Sequence, residues 1–80
     1  MEYTIILDPD DEGSGYTVLV PALPGCVTQG RTREEAITRA KEAIAVYIES
    51  LKADGEPVPR ESQPIEVLKV AVRGGVDERT

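Results

Sequence analysis

The chain has 80 residues, and its 9 Lys+Arg stand against 15 Asp+Glu, which gives a net charge of -6. This length fits one domain, and so short a chain buries only about 60 to 65% of the surface that its unfolded form exposes. Self-association as a homodimer is therefore expected, and further pairing into a tetramer is left open.

The basic residues are scattered among acids, which argues against direct binding of this chain to nucleic acid. The acidic balance favours a basic protein partner, with solubility alone as the other explanation.

The single cysteine and the hydropathy of the chain bear on its cellular location. Cys26 is the only cysteine, so an intrachain disulfide and a cysteine metal site are both excluded, and a buried thiol in a reducing, cytoplasmic setting is expected. The first residues lack the pattern of a signal peptide, and no run approaches the roughly 20 apolar residues of a membrane span. Neither targeting nor membrane association is predicted.

The first part of the sequence predicts a three-stranded meander. Residues 3–7 and 16–20 are β-branched and apolar, and the acidic, glycine-rich loop between them predicts a loosely closed antiparallel hairpin. Residues 21–25 contain two prolines and a glycine, which predicts a rigid turn. Residues 26–29 then return as a short third strand.

A capped helix follows the meander. Thr32 and Glu35 have the spacing of a capping box, so the helix is predicted to begin at Arg33. Asp54 and Gly55 supply a left-handed stop. Apolar residues recur at spacings of three and four along one face, at Ala36, Ile37, Ala40, Ile44, Tyr47, Ile48 and Leu51.

After a proline-rich connection, residues 65–72 have the composition of a last strand. The predicted fold class is therefore α+β, with the order β-β-β-α-β in a single domain over residues 1–73. Residues 74–80 are glycine and charged residues and are predicted to be a disordered tail.

Catalysis is not expected from this composition. The chain has no histidine to activate a serine or its one cysteine. Asp8, Asp10 and Glu12 imitate the start of a calcium loop, but Leu19 stands at the twelfth position, where a bidentate glutamate is needed. No enzyme activity, metal or cofactor is predicted, and the acidic loop is interpreted as a contact for a cationic partner or as a solvated hairpin loop.

These segments together resemble the HicB family of antitoxins. The resemblance covers most of the chain and is most specific where Leu23-Pro24-Gly25-Cys26 is followed by a threonine-capped helix that begins with Glu-Glu-Ala. It implies a small mixed sheet similar to a truncated ribonuclease-H core, with the last strand beside the first and the helix across one sheet face. Catalytic enzymes with that core carry acids within the first strand, where this chain has Ile5-Ile6-Leu7, so a binding module is expected and not a nuclease.

The resemblance also implies a partner, a small basic HicA-like toxin that cleaves messenger RNA with its own histidine. Neutralisation would then be steric and electrostatic occlusion. Six residues in two turns that are expected to be exposed are the predicted contacts: Asp10, Asp11, Glu12, Tyr16, Leu23 and Pro24.

Two features depart from the family pattern. Many members continue into a DNA-binding segment, and none is predicted after the last strand here. Arg31 and Arg33 replace the acidic and apolar residues expected at the helix entry, which changes the charge of one possible contact surface. The alternative function is a solitary HicB-like protein that serves as an oligomeric scaffold or sensor without a toxin partner.

Overall fold

The computed structural model describes residues 1–73. Three strands, β1 (Ile6–Pro9), β2 (Tyr16–Leu19) and β3 (Val27–Gly30), are followed by the helix α1 (Arg33–Ala53). The strands form one antiparallel sheet in the order β1-β2-β3. The predicted meander and helix are therefore confirmed, whereas the predicted tail, residues 74–80, lies outside the described residues.

The helix begins and ends where the sequence predicts. Thr32 has extended backbone angles, and its hydroxyl accepts a hydrogen bond from the backbone N–H of Glu35 at 3.0 Å. The Glu35 carboxylate reaches back to the N–H of Arg31 at 2.6 Å, one residue before the cap. At the other end Gly55 takes a φ of 71°, which a side chain would disfavour, and Glu56 N–H bonds to the Leu51 carbonyl.

The core lies between the helix and one face of the sheet and has two parts. Val18 packs with Ala36 and Ala40, whose small side chains let the helix approach the sheet closely. A second group joins the end of β2 to the turn that follows it and consists of Val20, Leu23 and Cys26. The larger apolar residues of the helix, such as Ile37 and Ile44, are only half-buried.

The prediction of a last strand after the helix is wrong. Residues 65–72 form no strand and are largely exposed, so the sheet is antiparallel and the fold is β-β-β-α. A strand requires a hydrogen-bonding partner at a sheet edge, and this segment pairs with none of the three strands. The ribonuclease-H-like core implied by the resemblance is therefore not confirmed.

Candidate partner-binding site

A wide cleft lies between the β1–β2 loop and the first turns of α1. It encloses about 630 Å³ and is open to solvent. Four carboxylates line it against two guanidinium groups, and the lining charges are those of Asp8, Asp10, Asp11, Glu35, Arg31 and Arg39. This acidic cleft is thus suited to a cationic side chain of a partner.

One wall of the acidic cleft is an ordered turn. The Asp10 N–H donates to the Gly15 carbonyl at 2.8 Å, and the Gly13 N–H donates to the Asp10 carbonyl at 2.9 Å. The Ser14 hydroxyl donates to the Asp10 carboxylate, and this bond, helped by nearby backbone N–H groups, lowers the pKa of Asp10. The loop that the sequence predicts to be loose is therefore closed by hydrogen bonds, and Asp10 stays ionised at neutral pH.

The opposite wall is set by a close approach of β3 to the helix. A Cβ on Gly30 would lie 2.5 Å from the backbone nitrogen of Ala36, so only glycine fits at this position. The approach places Arg31 and the first helical turns at the rim. There Arg39 pairs with Glu35 at 3.7 Å, in an exposed i,i+4 ion pair.

The structure brings together only part of the predicted contact set. Asp10, Asp11 and Tyr16 line the acidic cleft, and Glu12 is exposed in the same loop. Leu23 and Pro24 belong to the turn at the other end of β2, away from the cleft. The two predicted turns therefore do not form a single site.

Leu23 corrects the expectation that both turns are exposed. Its side chain is completely buried, because the turn folds back towards the helix and its backbone bonds to Val20 and Cys26 hold it there. The Tyr47 hydroxyl donates to the Pro24 carbonyl at 2.7 Å and fastens the turn to the helix. Leu23 is thus a core residue, and only Pro24 is exposed in this pair.

Sequence reasoning missed the helical side of the acidic cleft. Gln29, Arg31, Glu35 and Arg39 all line it, yet the sequence assigns Glu35 and Arg39 only to the cap and the outer helix surface. The sequence feature that could have indicated this side of the cleft is Arg31, an unexpected basic residue directly after Gly30.

Three further observations concern the thiol, metal binding and membrane spans. Cys26 is a free, buried thiol, as predicted, and burial raises its pKa, which makes it a poor nucleophile at neutral pH. Within residues 1–73, His, Cys, Asp and Glu side chains form no group of three or more that could hold a metal ion. In the same range, no helix has the length and apolar character needed to cross a membrane.

Comparisons with known proteins identify the family. Residues 3–73 match the family model described as the HicB-like antitoxin of bacterial toxin–antitoxin systems. A UPF0150 protein of Thermoplasma acidophilum is 55% identical over 62 residues, which cover 78% of this chain and 88% of the relative. A UPF0150 protein of Synechocystis is 46% identical over 70 residues, 88% of this chain and 87% of the relative.

Proteins named as antitoxins are also related. Antitoxin HicB of Escherichia coli is 37% identical over 59 residues, 74% of this chain, and the match spans 42% of the length of that longer protein. The chain belongs to the HicB-like antitoxin family, and the family resemblance seen in the sequence is confirmed.

Proposed function

We propose that this chain neutralises a HicA-type, messenger-RNA-cleaving toxin by covering the basic surface of that toxin. Family membership supports an antitoxin role in general, and the acidic cleft is the single observation that carries the specific proposal. Its carboxylates outnumber its guanidinium groups, and a ribonuclease that binds a phosphate backbone presents Lys and Arg. The antitoxin needs no chemistry of its own, because occlusion alone denies RNA access to the toxin.

The contact is centred on the acidic loop and Tyr16. Asp8 and Asp11 are exposed and have room to meet cationic side chains, whereas Asp10 is held by Ser14 and mainly shapes the turn. Arg31 and the Arg39–Glu35 pair on the opposite wall limit how many cations the cleft accepts. Because the cleft holds negative and positive side chains in defined positions, it gives specificity for one partner among many basic proteins.

The first test is co-expression with any short, basic, histidine-containing protein encoded beside this gene. The expected result is rescue of growth and co-purification of the two chains. Absence of such a neighbour, or a neighbour whose toxicity persists, would favour the alternative of a solitary scaffold or sensor.

The second test addresses the acidic cleft. Asp8→Asn with Asp11→Asn should lower the association rate with the toxin about tenfold at low salt, because rim charges act mainly on the rate of encounter. The matched control, Glu49→Gln with Glu56→Gln, removes the same charge from exposed positions near the far end of the helix and just beyond it, and it should change the rate less than about twofold. Stopped-flow or surface-based kinetics at two salt concentrations provides the measurement. Equal effects of the two variants would remove the cleft from the proposal.

A further inference from the structure

The sheet has an outer face, which points away from the helix. Val18 packs against the helix and Val20 also belongs to the core, whereas Leu19 between them is 40% exposed. Because successive side chains of a strand alternate between the two faces of a sheet, Leu19 lies on the face opposite the helix. Residues that stand directly opposite Leu19 on the neighbouring strands share this outer face.

An apolar row crosses the outer face on all three strands. Leu19 stands opposite Ile6 of β1 on one side and opposite Val27 of β3 on the other. Val27 is 54% exposed, and Ile6 is half-buried. These three residues, here called the apolar row, are neighbours in one patch, unlike the single exposed apolar side chains that are normal on a protein surface. The apolar row therefore has the character of a contact surface.

A polar row runs beside the apolar row and belongs to the acidic cleft. The next pairs on the outer face join Thr17 to Asp8 on one side and to Gln29 on the other. All three of these residues line the acidic cleft. Positions two residues apart on a strand are separated by about 7 Å, so the apolar row lies about 7 Å from the wall of the cleft. The cleft and the apolar row are parts of one continuous surface.

The usual size of a protein contact extends a partner of the cleft onto the apolar row. A stable interface covers about 800 Å² of each partner, which corresponds to a disc of about 16 Å radius. A contact of that size centred on the polar row reaches well past the apolar row. Interfaces of this kind place apolar residues at the centre and charges at the rim. The charges of the cleft speed the encounter, whereas a desolvated apolar centre slows dissociation.

Charge decides which partner covers the apolar row. A second copy of this chain has the same net charge of -6 and its own Asp8 beside the row. Packing two outer faces together would therefore bring like charges close to one another. A basic protein instead presents the opposite charge to Asp8 and to the acidic cleft. The occupant that fits this surface is a basic protein with apolar side chains next to its cationic ones.

We propose that Ile6, Leu19 and Val27 form the apolar centre of the contact whose charged rim is the acidic cleft, and that the toxin covers both together. The identity of the partner rests on the proposed function. The inference adds a second chemical requirement, because the toxin must present an exposed apolar side chain about 7 Å from the Lys or Arg that enters the cleft. It also divides the work between two sets of residues, with the cleft acting on association and the apolar row on dissociation.

Kinetics with the neighbouring basic protein test this division. Leu19→Thr, which keeps a strand-forming residue, should raise the dissociation rate of the complex at least about fivefold and change the association rate less than about twofold. Asp8→Asn with Asp11→Asn should act mainly on association. The control is Val46→Thr, at a helix position that is 69% exposed and outside both rows and the cleft, and both rates should stay within about twofold. A complex that forms normally but dissociates equally fast with Leu19→Thr and the control would overturn the apolar row and leave the proposed function standing.

Synthetic peptides test the same surface without the toxin. The labelled full chain is titrated in NMR spectra with a peptide of alternating leucine and lysine, and with a control peptide of equal length that alternates serine and lysine. The leucine peptide should shift the methyl signals of Leu19 and Val27 together with the amide signal of Asp8, and it should bind at least about fivefold more tightly than the serine peptide. This result would stand even if no toxin co-purified, in which case only the proposed function would fail.

Two outcomes of the titration would contradict the inference. Shifts confined to residues on the helical side of the sheet, such as Ile37 and Ile44, would place the apolar contact elsewhere. Leu19 methyl signals that move when the chain alone is diluted would show that a second copy covers the apolar row, and the row would not be the toxin contact.

Discussion

Glu61 links the segment that follows the helix to the start of the sheet. Its carboxylate accepts hydrogen bonds from both the hydroxyl and the backbone N–H of Thr4. These two bonds, the hydroxyl first, lower the pKa of Glu61 from its ordinary value of 4.5. Few sequence signals announce such a contact, because the two residues are 57 positions apart.

Glu61→Gln should therefore reduce stability at neutral pH. The lowered pKa means that the carboxylate stabilises the folded chain fully above its ordinary pKa, and that this contribution is lost as the pH falls through the lower, folded value. The difference in urea midpoint between the unsubstituted chain and the variant should be present near pH 7 and should shrink as the pH falls below the ordinary pKa of Glu61. Glu49→Gln, at an exposed helix position, is the control and should show a smaller difference at neutral pH. If the difference in urea midpoint between the unsubstituted chain and Glu61→Gln stayed constant with pH, the stabilising role assigned to the charge of Glu61 would be contradicted.

Two single residues show what the sequence could not predict about the site. Leu23 stands between prolines in a turn, which indicates exposure, yet the turn folds over the end of the sheet and buries it. Arg31 becomes part of the acidic cleft only because Gly30 lets β3 approach the helix. Both outcomes depend on how elements pack together, and packing between distant segments leaves little trace in local sequence.

At the scale of elements, the helix depends on its first turn. The Thr32 hydroxyl accepts from the Glu35 N–H, which otherwise has no partner within the helix. Thr32→Ala should lower the free energy of unfolding by about 1 kcal/mol, or about 4–8 °C in Tm for a domain of this size. Thr38→Ala, at an exposed position within the helix, is the control and should be neutral or slightly stabilising, because alanine favours helix. Equal losses for the two variants in urea titrations would show that the cap contributes nothing.

Some elements of this fold are specified by residues that are close in sequence, whereas others depend on contacts between distant segments. The hairpin, the helix and its stop are specified by neighbours in sequence, such as Thr32 with Glu35 and the glycine at position 55, and they were predictable. The composition of residues 65–72 is that of a strand, but composition does not supply an edge to pair with. The sequence therefore predicts the strand composition of this segment but not its lack of pairing with the sheet.

At the scale of the whole molecule, the net negative charge lowers the stability of a domain whose core is already small. Six net negative charges favour encounter with a basic partner, but they also repel one another within a compact fold. Among residues 1–73, the ion pair that satisfies a 4.0 Å distance is Arg39 with Glu35, and it is exposed. Local pairing therefore does little to relieve this repulsion, and the excess of acidic residues reduces the stability of the fold.

Salt should consequently stabilise this chain. Raising NaCl from about 0.1 M to about 1 M shortens the screening length from about 10 Å to about 3 Å, which weakens repulsion among the unpaired acids more than it weakens the single pair. The urea midpoint should rise with salt when it is measured by circular dichroism at a protein concentration below the onset of self-association. Glu49→Gln with Glu56→Gln removes two of the acids, so its salt-dependent gain should be smaller. A midpoint that falls with added salt would mean that attractive pairs, and not the net charge, dominate the electrostatics of the fold.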